Sequence, residues 1–326
     1  MQRSAFVRAA TITALAALST LTLQGVGHAQ PAYPSKTVKL IVPYPPGAST
    51  DNMARAFAQQ LAKELKGTVI VENRPGGGTS VGALAVKAQP ADGHTLLFQT
   101  GELLATKLSS PNLAYEIADF DIIAPLAKTP FALVVPANIK SLAELKARAA
   151  AKNGELDFGT LGLGANQYTL LSRKTAAHLG AKARMIPYKG GMEGITAAMT
   201  GEVDAYFATV GLTHSQKDNA KLNVLAISST DADNKFLPGV KSFKTLGMGD
   251  VVYNSYYGIA VRSNTPAPLK EYLKQVTRMV SDSKELKAIR NQISLEDFPG
   301  SLDDYKAETL RTFGLMKTEY EQENQR

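Results

Sequence analysis

Val38-Lys39-Leu40-Ile41-Val42 is a short β-rich run that stops at Pro43 and at Pro45-Pro46-Gly47. The segment behind it decides the fold. Met53, Ala54, Phe57, Ala58, Leu61 and Leu65 recur at three- and four-residue spacing, which lines one stripe of a helix, and Gly67 closes that stripe. Thr68-Val69-Ile70-Val71 predicts the next strand. The loop 72–78 leads to a second helix over roughly 79–87, and residues 94–99 predict a third strand. This βαβαβ order predicts a parallel sheet with helices on its faces.

The pattern returns further along. Strands are predicted at 131–135, 156–158, 184–187, 203–208, 222–227 and 257–261. Helices are predicted at 141–151 behind a Ser141 cap, at 167–179 stopped by Gly180, and near 192–199 ending at Gly201. Pro266 and Pro268 open another, to about 281. A charged amphipathic helix is expected over 302–323, with Leu302, Tyr305, Thr309, Phe313 and Met316 as its packing stripe. Two βα-rich halves suggest two similar α/β lobes.

Working outward to the amino end, Arg3 and Arg8 precede an apolar stretch from Ala9 to about Leu23, which ends in Gly27-His28-Ala29. This is the pattern of a secretory signal peptide over residues 1–29, cleaved after Ala29. The run is too short and too rich in Thr and Ser to cross a bilayer, which takes about 20 predominantly apolar residues. Removing Arg3 and Arg8 lowers the net charge from +7 to +5 and leaves about 297 residues, enough for two domains. There is no cysteine, hence neither a disulfide framework nor a lipid-anchoring thiol. The mature protein is expected free in the periplasm. No Lys/Arg block with interleaved aromatics is present, which argues against nucleic acid, whereas a mildly basic surface helps attract anionic solutes.

Three small-residue loops each end a strand and open a helix: Pro46-Gly47-Ala48-Ser49-Thr50-Asp51, Pro75-Gly76-Gly77-Gly78-Thr79-Ser80 and Gly162-Leu163-Gly164-Ala165-Asn166-Gln167. A helix start offers unpaired backbone N–H groups and a partial positive charge. Glycine lets a ligand approach that backbone, so such a loop holds a carboxylate or phosphate without Arg or Lys. Ordinary capped turns explain any one of these loops equally well; three of one design favour a ligand. Neither phosphate motif is complete. Gly76-Gly77-Gly78 lacks the Gly-Lys-Ser/Thr ending of a P-loop, and Gln167 stands where a dinucleotide fingerprint has its third glycine.

Gly78-Thr79-Ser80-Val81-Gly82 matches the Gly-x-Ser-x-Gly elbow of serine hydrolases, and Asp204 and His214 follow in hydrolase order. The loop 72–78 is too long for a strained elbow, so a Ser80 hydrolase is the remote alternative. His94, His178 and His214 lack metal-ligand spacing, and neither a metal nor a cofactor is implied. Asp51 fits either a ligand contact or compensation of the helix dipole. Lys189 and Arg74 fit an anion, or, respectively, a solvated loop and a loop brace.

The same loops carry a resemblance. Ile41-Val42-Pro43-Tyr44-Pro45-Pro46-Gly47-Ala48-Ser49-Thr50-Asp51, Val71-Glu72-Asn73-Arg74-Pro75-Gly76-Gly77-Gly78, Ala91-Asp92-Gly93-His94-Thr95-Leu96-Leu97, Pro187-Tyr188-Lys189-Gly190-Gly191, Leu237-Pro238-Gly239-Val240 and Tyr256-Tyr257-Gly258-Ile259 resemble, in order, motifs of the Bug family. These are the substrate-binding proteins of tripartite tricarboxylate transporters. The resemblance implies a type II periplasmic-binding-protein fold: two α/β lobes, each a mixed sheet flanked by helices, joined by two crossover strands near 130–135 and 256–260. Lobe 1 is then discontinuous, 30–130 with 257–326, and lobe 2 is 131–256. It implies a monomeric receptor, not an enzyme, that holds a small carboxylate between the lobes for membrane subunits of the transporter. A sensory protein presenting the ligand to a membrane sensor is the alternative. Carried over by position, the contacts are Tyr44, Gly47, Ala48, Ser49, Thr50, Gly78, Thr79, Ser80, Thr100, Ala165, Asn166, Gln167, Asp204 and Phe207.

Two stretches depart from the family pattern. The first loop reads Gly-Ala-Ser-Thr-Asp where Gly-Gly-Gly-Thr-Asp is usual. The second-lobe loop reads Gly164-Ala165-Asn166-Gln167-Tyr168, in place of small hydroxyl residues followed by His. The carboxylate anchor is kept and the far end of the ligand site is changed. The neutral residues there suit an aromatic or polar tail as readily as a second carboxylate.

Overall fold

The computed structural model describes residues 33–47, 49–161 and 166–324, with only the backbone of Ser49 and of 322–324. The expected signal segment, Ala48 and Ala165 therefore lie outside the described residues, as does most of the third loop. No described helix is long and apolar enough to cross a membrane.

β1 (Val38–Val42) lies between β2 (Val69–Asn73) and β3 (Thr95–Thr100) and is parallel to both, with Val38 opposite Val69 and Leu40 opposite Leu96. Every residue of β3 is buried, as expected of a strand covered on both faces. β9 (Asn254–Arg262) runs antiparallel to β3 on one side and to β4 (Phe120–Pro136) on the other. Residues 120–130 of β4 pair with β9, and residues 131–136 pair with β7 (Ala205–Thr209) and β8 (Leu222–Ile227). Beyond β7 lie β5 (Glu155–Leu161) and then β6 (Lys182–Tyr188), parallel to one another. The order is thus β2-β1-β3-β9-β4-β7-β5-β6, with β8 also on β4. β4 is common to a first and a second sheet half, and these are the centres of the two lobes.

Helices cover the sheet: α1 (Ser49–Leu65), α2 (Ser80–Lys87), α3 (Glu102–Ser109), α4 (Leu142–Ala151), α5 (Gln167–His178), α6 (Gly191–Thr200), the short α7 (Val210–His214), α8 (Ala267–Asp282), α9 (Lys284–Gln292) and α10 (Leu302–Asn324). The stripe predicted for α1 is buried throughout. Ser141 caps α4 by accepting the Glu144 N–H at 3.1 Å, and Gly201, at φ +76°, terminates α6. In α10, Tyr305, Thr309 and Met316 are buried; Leu302 and Phe313 are partly buried. This helix touches both halves. Tyr305 Oη donates to Gln99 Oε1 in β3 at 3.1 Å, while Glu319 pairs with Arg173 of α5 at 3.4 Å.

Several elements differ from those expected. β4 begins eleven residues before the predicted 131, because Pro125 and Pro130 read as strand breakers. Register shifts between Ile122 and Ala124 and between Pro125 and Ala127 accommodate the first proline. β2 runs on through Asn73, into what reads as loop. α3, α7 and α9 have no counterpart among the predicted helices; the first and third are short and rich in polar residues.

Candidate functional site

The carboxyl ends of β1, β2, β3 and β5 and the helices they feed supply the polar groups of one cluster. In parallel α/β sheets this edge is where ligands bind. Past β1, Tyr44 places its phenol 2.6 Å from Thr100 Oγ1, at the end of β3, and donates to Glu102 Oε2 at 2.9 Å. Glu102 is the first residue of α3. From the second half, Gln167, the first residue of α5, donates from Nε2 to Glu102 Oε1 at 2.7 Å. One carboxylate therefore joins the two lobes. Burial, reinforced by the Glu102 charge, pushes the Tyr44 phenol well above its ordinary range, so it stays a neutral donor.

The Gly-rich turn after β2 forms the next wall. Gly76, Gly77, Gly78 and Thr79 all have positive φ, +123°, +55°, +59° and +80°. Thr79 is β-branched, so this backbone costs about 1–3 kcal/mol, a strain typical of functional positions. Its Oγ1 is buried and has no hydrogen-bond partner among the described residues. The Gly78 carbonyl accepts from Thr106 Oγ1, one turn along α3 from Glu102. Gly78 has no room for a side chain, since a Cβ there would stand 2.5 Å from that hydroxyl. Ser80, also buried, follows directly as the first residue of α2.

The loop after β1 is held from below. The Gly47 N–H donates to Asp51 Oδ2 at 2.8 Å; Arg55 Nε donates to the same oxygen at 2.9 Å, and Asn73 Nδ2 to Oδ1 at 2.9 Å. Burial raises the Asp51 carboxyl, but these bonds outweigh it and hold it below the usual carboxylate range. Asp51 is thus a brace for the loop. Gly47 itself is exposed at φ +84°, and Ser49 and Thr50 form the first turn of α1. Arg74 is tied to Glu72 and braces its own loop.

The structure therefore gathers Tyr44, Thr100 and Gln167 around Glu102, with Gly78, Thr79 and Ser80 on the turn beside α3. It treats three other expected contacts differently. Asn166 caps α5, its Oδ1 accepting the Tyr168 and Thr169 N–H groups while its Nδ2 donates to Leu161 O. Phe207 is buried in the second core, 5.9 Å from Phe243 between ring centroids. Asp204 lies at the amino end of β7, because β7 runs parallel to β5 and ends at Thr209. There it is fully buried, bound to Arg148, to Lys152 Nζ at 2.7 Å and to the Asp157 N–H at 2.8 Å. Both Asp204 oxygens are engaged internally, by two cationic side chains and a backbone N–H, so it braces the lobe.

A hydrolase triad is not assembled. Asp204 is occupied by Arg148 and Lys152, and His214 Nδ1 lies 2.8 Å from Ser294 Oγ. No group of three or more His, Cys, Asp or Glu positioned for a metal ion occurs among the described residues. Glu102 is the functional candidate that sequence reasoning missed. Its signal was available: an acid directly after Thr100-Gly101, at the same sheet edge as the three small-residue loops.

Residues 53–310 match the tripartite tricarboxylate transporter family receptor, TctC. Protein BugT of Bordetella pertussis is 31% identical over 262 residues, 79% of each chain. A protein from the TAR-I ttuE–ttuC' intergenic region of Agrobacterium vitis is 31% identical over 268 residues, 81% of this chain and 77% of that one. Among solved structures, a TctC solute-binding protein from Polaromonas superposes with a TM-score of 0.73 at 25% identity, covering 88% of this chain and 98% of that one. MatC of Rhodopseudomonas palustris, solved with malate, superposes with 0.72 at 20% identity over 89% and 99%. An R. palustris protein solved with adipate superposes with 0.74 at 22% identity over 89% and 96%. With the order of its motifs, its two-lobed sheet and this match across most of its length, the chain belongs to the TctC family of solute-binding receptors.

Proposed function

We propose that this receptor captures a small carboxylate between its lobes in the periplasm and hands it to the membrane subunits of a tripartite transporter, without catalysis. The observation that carries this reading is Thr79: a buried hydroxyl with no partner among the described residues, on a strained left-handed backbone at the start of a helix. A carboxylate there would accept the hydroxyl and lie close to the α2 helix start. The malate and adipate named for two structural neighbours support the ligand class. In this reading the first lobe is 30–130 with 257–326, the second is 131–256, export ends with cleavage after Ala29, and the receptor acts as a monomer. Closure of the lobes on the ligand would be the state recognised by the membrane subunits.

A thermal-shift screen of aliphatic and aromatic carboxylates tests it. A ligand at about 100 times its Kd stabilises by about 2.7 kcal/mol, roughly 4–8 °C for a chain of this size. Thr79→Ala is expected to weaken that ligand about tenfold. The ligand-free melting temperature should hold or rise, since the hydroxyl has no partner among the described residues to lose and Ala relieves the β-branched strain. If no carboxylate shifts the transition, capture of this class is wrong. If one does and Thr79→Ala binds it equally, the anchor lies elsewhere.

A further inference from the structure

The acceptors at this site are as notable as its donors. Glu102 is the acid of the cluster, and it forms no ion pair with a described Lys, Arg or His side chain. Its two oxygens accept one bond each, from Tyr44 and Gln167. An ionised carboxylate accepts about four hydrogen bonds, so capacity remains. Gln167 is 1% exposed, and its Oε1 has no hydrogen-bond partner among the described residues. With Nε2 at 2.7 Å from Glu102, amide geometry puts that orphan acceptor within about 5 Å of the carboxylate.

The surroundings sharpen the point. A Cβ on Gly101 would lie 3.8 Å from Tyr253 Oη, which places that phenol beside the backbone that leads into Glu102. Burial first, and then the Glu102 charge, raises the Tyr253 and Tyr257 phenols. Tyr168 is raised by burial, by Tyr206 and by Glu102. The partly buried Glu102 carboxyl thus stands among buried aromatic rings, and a second carboxylate facing it would set acceptor against acceptor, with no donor between them. Donor groups sit on the other side. Glu102 and Thr106 share one face of α3, with Cβ atoms about 5–6 Å apart, and Thr106 holds the turn that carries Thr79.

We infer that Glu102 and Gln167 Oε1 form a selectivity subsite for a protonated amine or other N–H donor, so that the ligand is an amino- or amide-bearing carboxylate and not a dicarboxylate. This rests on the proposed anchoring of a carboxylate near Thr79, and assigns the opposite end of the same molecule. The ligand lies with its carboxylate toward the helix starts and its N–H donor between the two acceptors. The tyrosine rings then favour the cation and exclude water.

The test uses the purified mature protein and matched probes that differ only in exchanging one carboxylate for an amine. These are succinate against 3-aminopropanoate, glutarate against 4-aminobutanoate, and adipate against 5-aminopentanoate, with succinamate as the neutral donor. Calorimetric titration should find at least one amino or amide member bound about tenfold or more tightly than its dicarboxylate. Glu102→Gln should remove or reverse that preference, and Glu102→Asp should restore part of it. The ligand-free melting temperature of each variant reports whether it is folded. A wild-type preference for dicarboxylates overturns the donor subsite and leaves carboxylate capture standing. So does Glu102→Gln weakening both members of a pair equally. Binding of none of these probes, or of any carboxylate in the wider screen, overturns capture and this inference together.

Discussion

Gly258→Ala is expected to destabilise the protein by about 3 kcal/mol, the upper part of the range for overpacking a well-filled core. Gly258 sits in β9, opposite Gln99 on one side and Pro125 on the other. A Cβ there would stand 2.7 Å from Tyr305 Oη and 2.9 Å from the Ala124 carbonyl oxygen. Neither can give way cheaply. Ala124 is backbone in the strand shared by both lobes. Tyr305 is fully buried, bonded to Gln99, and held edge-on by Tyr256 and Phe298 at centroid distances of 5.7 and 5.3 Å. Moving that ring also moves α10, which spans both halves. Gly190→Ala is the control: its φ is −148° and nothing among the described residues lies within 4 Å of a Cβ, so it should cost no more than about 1 kcal/mol, the loss of a glycine N-cap on α6. Urea unfolding of the two variants decides the matter, and equal midpoints at equal slope would refute the steric account.

Asp204→Asn should cost a similar amount, about 3 kcal/mol, while the folded protein keeps its ligand affinity. The carboxylate is fully buried and accepts from Arg148, Lys152 and the Asp157 N–H. Bonds to charged groups are each worth about 1.5–3 kcal/mol, and an orphaned buried donor costs about 1–3 more. Because Arg148 and Lys152 are about one-third exposed, water recovers part of their loss, which sets the estimate below a plain sum. The neighbouring Asp157 adds a pH dependence. Burial raises its carboxyl, but the bonds from Arg184 and Lys152 more than offset this and lower it. A lowered folded-state value stabilises above the unfolded value of about 3.9 and is lost as pH falls through the folded value. The acid limb of the stability curve should therefore flatten in Asp157→Asn. An affinity loss in Asp204→Asn comparable to its stability loss would instead return Asp204 to the ligand site.

Local periodicity made much of this architecture legible. The β1–α1–β2 stretch is readable because its apolar spacing and its Pro and Gly stops agree. The same holds for the capped helix behind Ser141 and for the Gly180 and Gly201 endings. What escaped depends on pairing between distant segments. Pro125 looks like an end of β structure until β9 is seen to absorb it through shifted register. Asp204 reads as a strand-end contact until the direction of β7 beside β5 shows which end it occupies. Glu102 was missed for a different reason: α3 is short, and its first residue acquires meaning only when Gln167 is brought to it from the other lobe. The turn at 77–79 is legible as a strand-to-helix element from its glycines and the helix start behind them, but the strain at Thr79 is a backbone property that no spacing rule reveals.

The place of β9 between β3 and β4 also sets a timetable. A polypeptide emerging amino end first delivers β1 to β3 and then β4 while β9, some 120 residues later, is still missing. Until residue 262 appears, the inner edges of β3 and of residues 120–130 of β4 lack their partner strand, and both carry apolar runs, Leu96-Leu97-Phe98 and Ile122-Ile123-Ala124. Exposed edges of this kind invite association with other chains, and such distant pairings form slowly. The β3–β9–β4 part of the sheet therefore cannot be completed until nearly all of the chain has been made. Pulse-labelled hydrogen exchange during refolding should show the Leu97 and Gln99 amides gaining protection together with those of β9. Early protection of β3 alone would refute this order of events.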